Sequence, residues 1–103
     1  MIVLIGWIEI RLPYAHSLKE KRKTAKSLTA RLYQRHNASV REIASQNLHQ
    51  MLVLGLCYTA LSETEAQHAA HEMEKTIWRT IESEGELLKF ETELLLPGFS
   101  EDY

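Results

Sequence analysis

Four cations in the N-terminal half of the sequence have the types and spacing needed to bind phosphate groups. In a helix, where successive residues are about 100° apart, they fall on one flank, and an aromatic residue continues that flank two turns on. The residues of this basic ridge are Lys19, Arg22, Lys23, Lys26 and Tyr33. Cationic groups displace counterions from a phosphate backbone, and an aromatic ring stacks on a base. The ridge therefore predicts binding of RNA or the ribosome; the alternatives are a solvated helix face and ion pairs with acidic residues elsewhere in the chain.

His16 stands immediately before the same helix and is a second candidate for anion binding. Backbone N–H groups and the helix dipole favour a negative group at a helix N-terminus, so the imidazole ring could meet a phosphate there. A local capping or packing role is the simpler interpretation.

The other candidate metal-binding or reactive residues give weaker signals. His68 and His71 are three apart on a predicted helix, but two histidines fall short of the four ligands of a structural zinc site. Cys57 lies in an apolar segment and is predicted to be buried and unreactive. The sequence has no glycine-rich phosphate loop and no paired nucleophile and base. We therefore expect a protein that is not an enzyme and that uses no metal or cofactor.

Charge is divided unevenly along the chain of 103 residues, whose net charge is -2. Residues 1–41 contain nine Lys and Arg against two acidic residues, whereas residues 42–103 contain three against twelve. Such a division indicates a partner of opposite charge, or two halves that complement each other within the fold or across a dimer. The apolar residues 1–8 follow no basic segment and are too short to span a membrane, so a cytoplasmic location is expected.

Hydrophobic periodicity predicts six elements that must position these residues. Strands are expected at residues 2–12, 39–45, 51–61 and 88–96, and helices at residues 18–36 and from residue 62 or 64 to the stop at Gly85. Ser17 with Glu20 and Ser62 with Glu65 have the spacing of capping boxes. Leu88, Phe90 and Leu94 are predicted to face inward on the last strand. Lys21, Arg31 and Arg35 are expected on the sides of the first helix away from both the core and the ridge.

The order β-α-β-β-α-β predicts a ferredoxin-like α+β sandwich, in which a four-stranded antiparallel sheet carries two helices on one face. We expect one domain at residues 1–97 and a frayed tail at residues 98–103.

The second face of that sheet is a further candidate surface. Val3, Ile5 and Trp7 are predicted to lie there with Tyr58 from the neighbouring strand. Some sandwiches of this type stack RNA bases on this face, but here aromatic residues are scarce. A mainly aliphatic face favours an interface with a second copy of the chain. Coverage by Phe99 and Tyr103 from the tail is another interpretation.

Three segments also carry a resemblance to a known family. They are residues 13–22 (Pro-Tyr-Ala-His-Ser-Leu-Lys-Glu-Lys-Arg), residues 37–42 (Asn-Ala-Ser-Val-Arg-Glu) and residues 46–50 leading into Leu54 and Gly55. Together they resemble the YlxP-like family of small uncharacterised bacterial proteins, over the chain up to Leu96. The resemblance implies a ferredoxin-like fold and no established activity. Genes of that family tend to lie beside genes for translation initiation and ribosome maturation, which implies association with RNA or the ribosome. This sequence departs from the family in having His49 where an aromatic residue is common, and in a longer, acidic C-terminal end.

Two hypotheses of function follow from the sequence. In the first, a small non-catalytic accessory protein binds RNA or the ribosome through the basic ridge. In the second, the protein is an interaction module or homodimer whose basic helix meets an acidic protein partner, with no role in nucleic-acid binding. Neither hypothesis needs a membrane or a small-molecule substrate.

Overall fold

The computed structural model describes residues 1–99 and confirms the predicted order of elements. They are β1 Ile2–Arg11, α1 Leu18–His36, β2 Ser39–Ala44, β3 Met51–Ala60, α2 Glu63–Ile81 and β4 Glu86–Leu95. The strands form an antiparallel sheet in the order β2-β3-β1-β4. The most apolar strands, β1 and β3, are therefore central, and both helices pack on one face. The architecture is the ferredoxin-like α+β sandwich.

Alternation along β1 separates the two faces of the sheet. Leu4, Ile8 and Ile10 are buried beneath the helices, whereas Trp7 and Arg11 are exposed on the other side. We call these the covered face and the open face. The helices complete the core with apolar residues at helical spacing, namely Leu28 and Leu32 from α1 and Ala66, Ala69, Met73, Ile77 and Ile81 from α2.

Local signals set the ends of α1 as predicted. The Ser17 hydroxyl accepts a hydrogen bond from the Glu20 N–H at 3.2 Å, and the Glu20 carboxylate accepts one from the His16 N–H at 2.5 Å. The helix ends at Asn37, which has the left-handed conformation with φ 57°. Its N–H bonds back to the Tyr33 carbonyl, so a last-turn acceptor is satisfied.

The start of α2 repeats this arrangement, but its end differs from the prediction. The Glu65 N–H donates to the Ser62 hydroxyl at 3.1 Å, and the helix ends at Ile81, ahead of Gly85. Gly85 has no positive φ and is needed for space instead, because a Cβ there would lie 2.7 Å from the Arg11 carbonyl oxygen.

The prediction that Lys21 lies on an exposed side of α1 is wrong. Its side chain is 1% exposed and crosses the end of the sheet, where the ammonium group donates to the carbonyl oxygens of Ser45 at 2.9 Å, Gln46 at 3.3 Å and Met51 at 3.2 Å. A carboxylate oxygen of Glu42 lies 2.8 Å away. Since the three N–H donors go to the carbonyls, Glu42 contributes charge rather than a hydrogen-bond acceptor. Lys21 thus holds the loop between β2 and β3 against α1.

Two further side chains lie elsewhere than the alternating pattern indicates. A bulge in the pairing of β1 with β4 follows Glu9, so that Ile10 pairs with Leu87 and Leu88 is left 46% exposed. Phe90 and Leu94 pack on the core as predicted. Cys57 is exposed rather than buried, because it pairs with Ile5 on the open face.

Within residues 1–99, neither helix combines the length and apolarity needed to cross a membrane. The predicted tail falls largely outside the described part of the chain, which excludes residues 100–103 and hence Tyr103. Phe99 is described and is 75% exposed.

Candidate nucleic-acid interface

The basic ridge lies on the outer surface of α1, as the sequence predicts. Its four cations are all exposed, and none of them forms an ion pair with an acidic group of residues 1–99. Buried Lys21 forms an ion pair with Glu42, which joins the basic first part of the chain to the acidic second part. The interpretation that the ridge is neutralised within the described fold is therefore wrong.

Tyr33 ends the ridge beside an open groove. Its side chain is 65% exposed. The groove, of about 450 Å³, runs between the last turns of α1 and the edge strand β2, and its walls include Lys26, Tyr33, Asn37 and Ser39. An aromatic ring, a cation and polar groups therefore line one concave surface at the end of a row of cations. Such a surface is suited to a planar base attached to a charged backbone.

His16 is exposed at the opposite end of the ridge. Its backbone N–H and that of Glu20 are already hydrogen-bonded within the cap of α1. A phosphate at this helix terminus would compete with the Glu20 carboxylate, so the local capping role accounts for the backbone of His16. Binding of a phosphate by its imidazole ring stays a prediction.

Most of the exposed acidic residues lie away from the ridge. α1 packs mainly beside the edge strand β2, whereas α2 packs mainly beside the opposite edge strand β4. The exposed acidic side chains of α2, the following turn and β4 are Glu63, Glu82, Glu84, Glu86, Glu91 and Glu93. The division of charge along the sequence is thus largely a division across the fold, although Glu20 and Glu84 line one pocket together with Lys23.

Hydrogen bonds to α2 and to the turn that follows it keep α1 in place. The Thr24 hydroxyl donates to Glu84 at 2.7 Å, and His36 Nε2 lies 2.7 Å from the Thr76 hydroxyl. Burial, and to a lesser degree the neighbouring Arg35, lower the pKa of His36 below its ordinary value of 6.5, against the influence of Glu72. The imidazole is therefore held neutral in this contact between helices.

The histidine pair on α2 lies on an exposed surface. His68 and His71 precede Glu72, whose carboxylate contacts Lys75 at 3.3 Å; this contact lowers the pKa of Glu72. Within residues 1–99 no group of three or more His, Cys, Asp or Glu side chains lies together so as to hold a metal ion.

Three of the four predicted interface residues lie on the open face. Val3 and Ile5 are half-buried there, and Trp7 is 41% exposed with its indole N–H donating to Glu9 at 3.0 Å. Trp7 and Glu9 border a depression of about 550 Å³ whose other wall is β4, with Lys89 and Glu91.

The placement of Tyr58 on the open face is wrong. Tyr58 pairs with Leu4, so its side chain is on the covered face, packed against the core. Its hydroxyl donates to Glu65 at 3.1 Å, and burial together with this bond raises the pKa of Tyr58. The alternation that places Cys57 outside places Tyr58 inside, and the pairing of β3 with β1 decides which of the two faces outward.

Comparison with solved structures shows the fold. The de novo designed protein LFR1 1 with ferredoxin fold is 12% identical, with a TM-score of 0.55, over 97% of this chain and 90% of that chain. The designed protein Foldit4 is 9% identical, with a TM-score of 0.52, over 92% of this chain and 98% of that chain. SnoaB, a cofactor-independent oxygenase from Streptomyces nogalater, is 8% identical over 97% and 98% of the chains, but its TM-score of 0.45 is too low to bear on activity.

Comparison with curated proteins finds no match to this chain. The family model described as "Protein of unknown function (DUF503)" matches residues 3–92, which contain the capped basic helix, the central strands, α2 and most of β4. On this match over most of its length, the chain belongs to the DUF503 family of proteins of unknown function.

Proposed function

We propose that this protein is a small, non-catalytic, cytoplasmic accessory protein that binds RNA, free or within the ribosome, through the basic ridge. The observation that carries the proposal is the set of four exposed cations that have no ionic partner within residues 1–99. A surface that only faces solvent does not need its cations kept apart from acidic groups. The buried cation of the same helix, Lys21, does have an ionic partner, Glu42.

The dimensions of the ridge support a strand of RNA as the ligand. Lys19 and Tyr33 are fourteen residues apart on α1, which corresponds to about 21 Å at about 1.5 Å per residue. A single strand laid along this length would place phosphates near the cations and a base in the groove beside Tyr33. Contacts to phosphates bind without regard to sequence, whereas stacking adds affinity for unpaired bases.

The resemblance to YlxP-like proteins supports the same proposal independently. Genes of those proteins tend to neighbour genes for translation initiation and ribosome maturation. The segments that carry the resemblance include residues 13–22, which contain the cap of α1 and two of the ridge cations, Lys19 and Arg22.

The proposal is tested by the affinity for a fluorescently labelled single-stranded RNA, measured by anisotropy at about 0.1 M salt. Changing Lys19, Arg22, Lys23 and Lys26 to Ala is expected to weaken binding on the order of 100-fold, because up to four phosphate contacts are lost. The matched control changes four other exposed helical cations to Ala and removes the same charge: Arg31, Arg35, Lys75 and Arg79.

The control protein should bind within a few-fold of the unmodified protein. Equal losses in the two variants would mean that net charge alone drives binding, and would refute the ridge as the site. Undetectable RNA binding by the unmodified protein, together with capture of an acidic protein that the ridge variant fails to capture, would favour the interaction-module hypothesis instead.

A further inference from the structure

The open face carries a second surface that the proposed function does not use. Trp7, Cys57 and Leu95 are exposed on it, and no element of residues 1–99 covers it. Phe99, which a folded-back tail would bury, is 75% exposed. We propose that the open face binds a second copy of this chain, with the twofold axis running nearly parallel to the strands.

The size of the face suits a homodimer. The four strands contain 36 residues. At about 3.4 Å per residue and about 4.8 Å between strands, they cover roughly 590 Å². A pair of such faces buries roughly 1,200 Å² in total, which is the lower end of the range for stable, specific interfaces.

One row across the middle of the sheet determines how two copies fit. The strand pairings align Arg41 on β2 with Gly55 on β3, Gly55 with Trp7 on β1, and Trp7 with Glu91 on β4. Read from edge to edge, the row is a cation, a residue without a side chain, a large aromatic residue and an anion.

Consider a twofold axis that runs along the strands, midway between β3 and β1. It places the row of one copy opposite the row of the second copy, read in the reverse order. β2 then faces β4 of the second copy, so that Arg41 meets Glu91 at both edges. At both central positions Trp7 meets Gly55, over which the exposed Ile43 side chain packs. Each copy thus presents complementary charge at the edges and apolar side chains at the centre, as an interface between identical faces requires.

The charges of the edge strands disfavour the other twofold arrangement. An axis in the plane of the sheet but across the strands would place β4 on β4 and β2 on β2. On the open face of β4, Glu91 and Glu93 outnumber Lys89, which already lies 3.6 Å from Glu91, so two strands of net negative charge would meet. Like charges brought together at an interface oppose association.

The dimer leaves α1 of each copy in an outer layer, because the helices lie on the covered face. Both basic ridges therefore stay accessible, and the dimer stands whether or not the ridge binds RNA.

A charge exchange tests this geometry. Arg41→Glu and Glu91→Arg are made in separate chains, and their masses in solution are measured by sedimentation equilibrium. In each variant homodimer two like-charged pairs form across the axis, so the dissociation constant is expected to rise by roughly 100-fold. In an equimolar mixture, both edges of the heterodimer regain an opposite pair, and a dimer is expected to form about as tightly as that of the unmodified protein.

Three results would overturn the proposal. The first is an unmodified protein that is monomeric at about 100 µM, a concentration at which interfaces of this size associate. The second is a mixture that stays as dissociated as its components, because the edges then do not face each other. The third is a chain ending at Pro97 that dimerises when the full chain does not, because the tail then covers the face.

A change of Trp7 to Ser, with an unaltered circular dichroism spectrum, should also dissociate the dimer.

Discussion

Replacing Lys21 with Met should destabilise the protein more than any exchange of an exposed cation on α1. Methionine retains most of the apolar stem and the helix propensity of lysine, so the change removes mainly the ammonium group. That group is the shared hydrogen-bond donor for three carbonyl oxygens and lies 2.8 Å from Glu42.

The expected loss of unfolding free energy follows from the Glu42 carboxylate, which would be left without its ionic partner. Removing one partner of a buried ion pair costs about 3–5 kcal/mol, because the other charge stays without compensation. The Glu42 side chain is 23% exposed, so water relieves part of this cost. We therefore expect a loss of about 3 kcal/mol, which corresponds to roughly a 150-fold shift of the unfolding equilibrium and a fall in Tm of about 12 °C or more.

Urea unfolding followed by circular dichroism measures the effect. Lys19→Met is the control, because Lys19 lies on the same helix but is exposed. Glu42→Gln should also destabilise the protein, but less than Lys21→Met, since Lys21 keeps its three carbonyl acceptors. A Lys21→Met protein within about 0.5 kcal/mol of the Lys19→Met protein would refute the conclusion that Lys21 anchors the loop between β2 and β3.

Two further predictions concern the packing around the sheet and between the helices. Gly85→Ala should cost about 1–3 kcal/mol of unfolding free energy, because its Cβ would lie 2.7 Å from the Arg11 carbonyl oxygen. Gly98→Ala, with no atom within 4 Å of its Cβ, is the control, and equal urea midpoints for both variants would contradict the expectation. The lowered pKa of His36 means that, as the pH falls below 6.5, the unfolded chain takes up a proton before the folded protein does. The stability that the neutral ring contributes is therefore fully present above pH 6.5 and is lost as the pH falls through the folded-state pKa. An NMR titration of the ring should give a midpoint below 6.5, and a midpoint at or above that value would show that burial against Thr76 does not hold the ring neutral.

Local signals made much of this fold predictable. Ser17 and Ser62 mark helix starts because a hydroxyl followed three residues later by a glutamate satisfies orphan N–H groups, whatever the rest of the chain does. Asn37 ends α1 because it tolerates a positive φ. The ridge is equally local, since helical spacing alone places its cations on one flank.

The features that were not predictable depend on contacts distant in sequence. Lys21 is buried because the carbonyl oxygens of a loop 24 to 30 residues away converge on it, and no periodicity within α1 signals that. Leu88 is displaced by a bulge that is set by pairing with β1. Tyr58 and Cys57 exchange faces relative to the prediction because strand register is fixed by the partner strand.

The central claim, that the basic ridge binds the phosphate backbone of RNA, is tested most directly by the salt dependence of binding. The logarithm of the association constant for single-stranded RNA is measured against the logarithm of the salt concentration, for the unmodified protein and for the variant with Ala at Lys19, Arg22, Lys23 and Lys26. If these cations contact four phosphates, the magnitude of the slope should fall by about 3 in the variant. The control variant at Arg31, Arg35, Lys75 and Arg79 should keep the slope of the unmodified protein. An unchanged slope in the ridge variant would contradict the account.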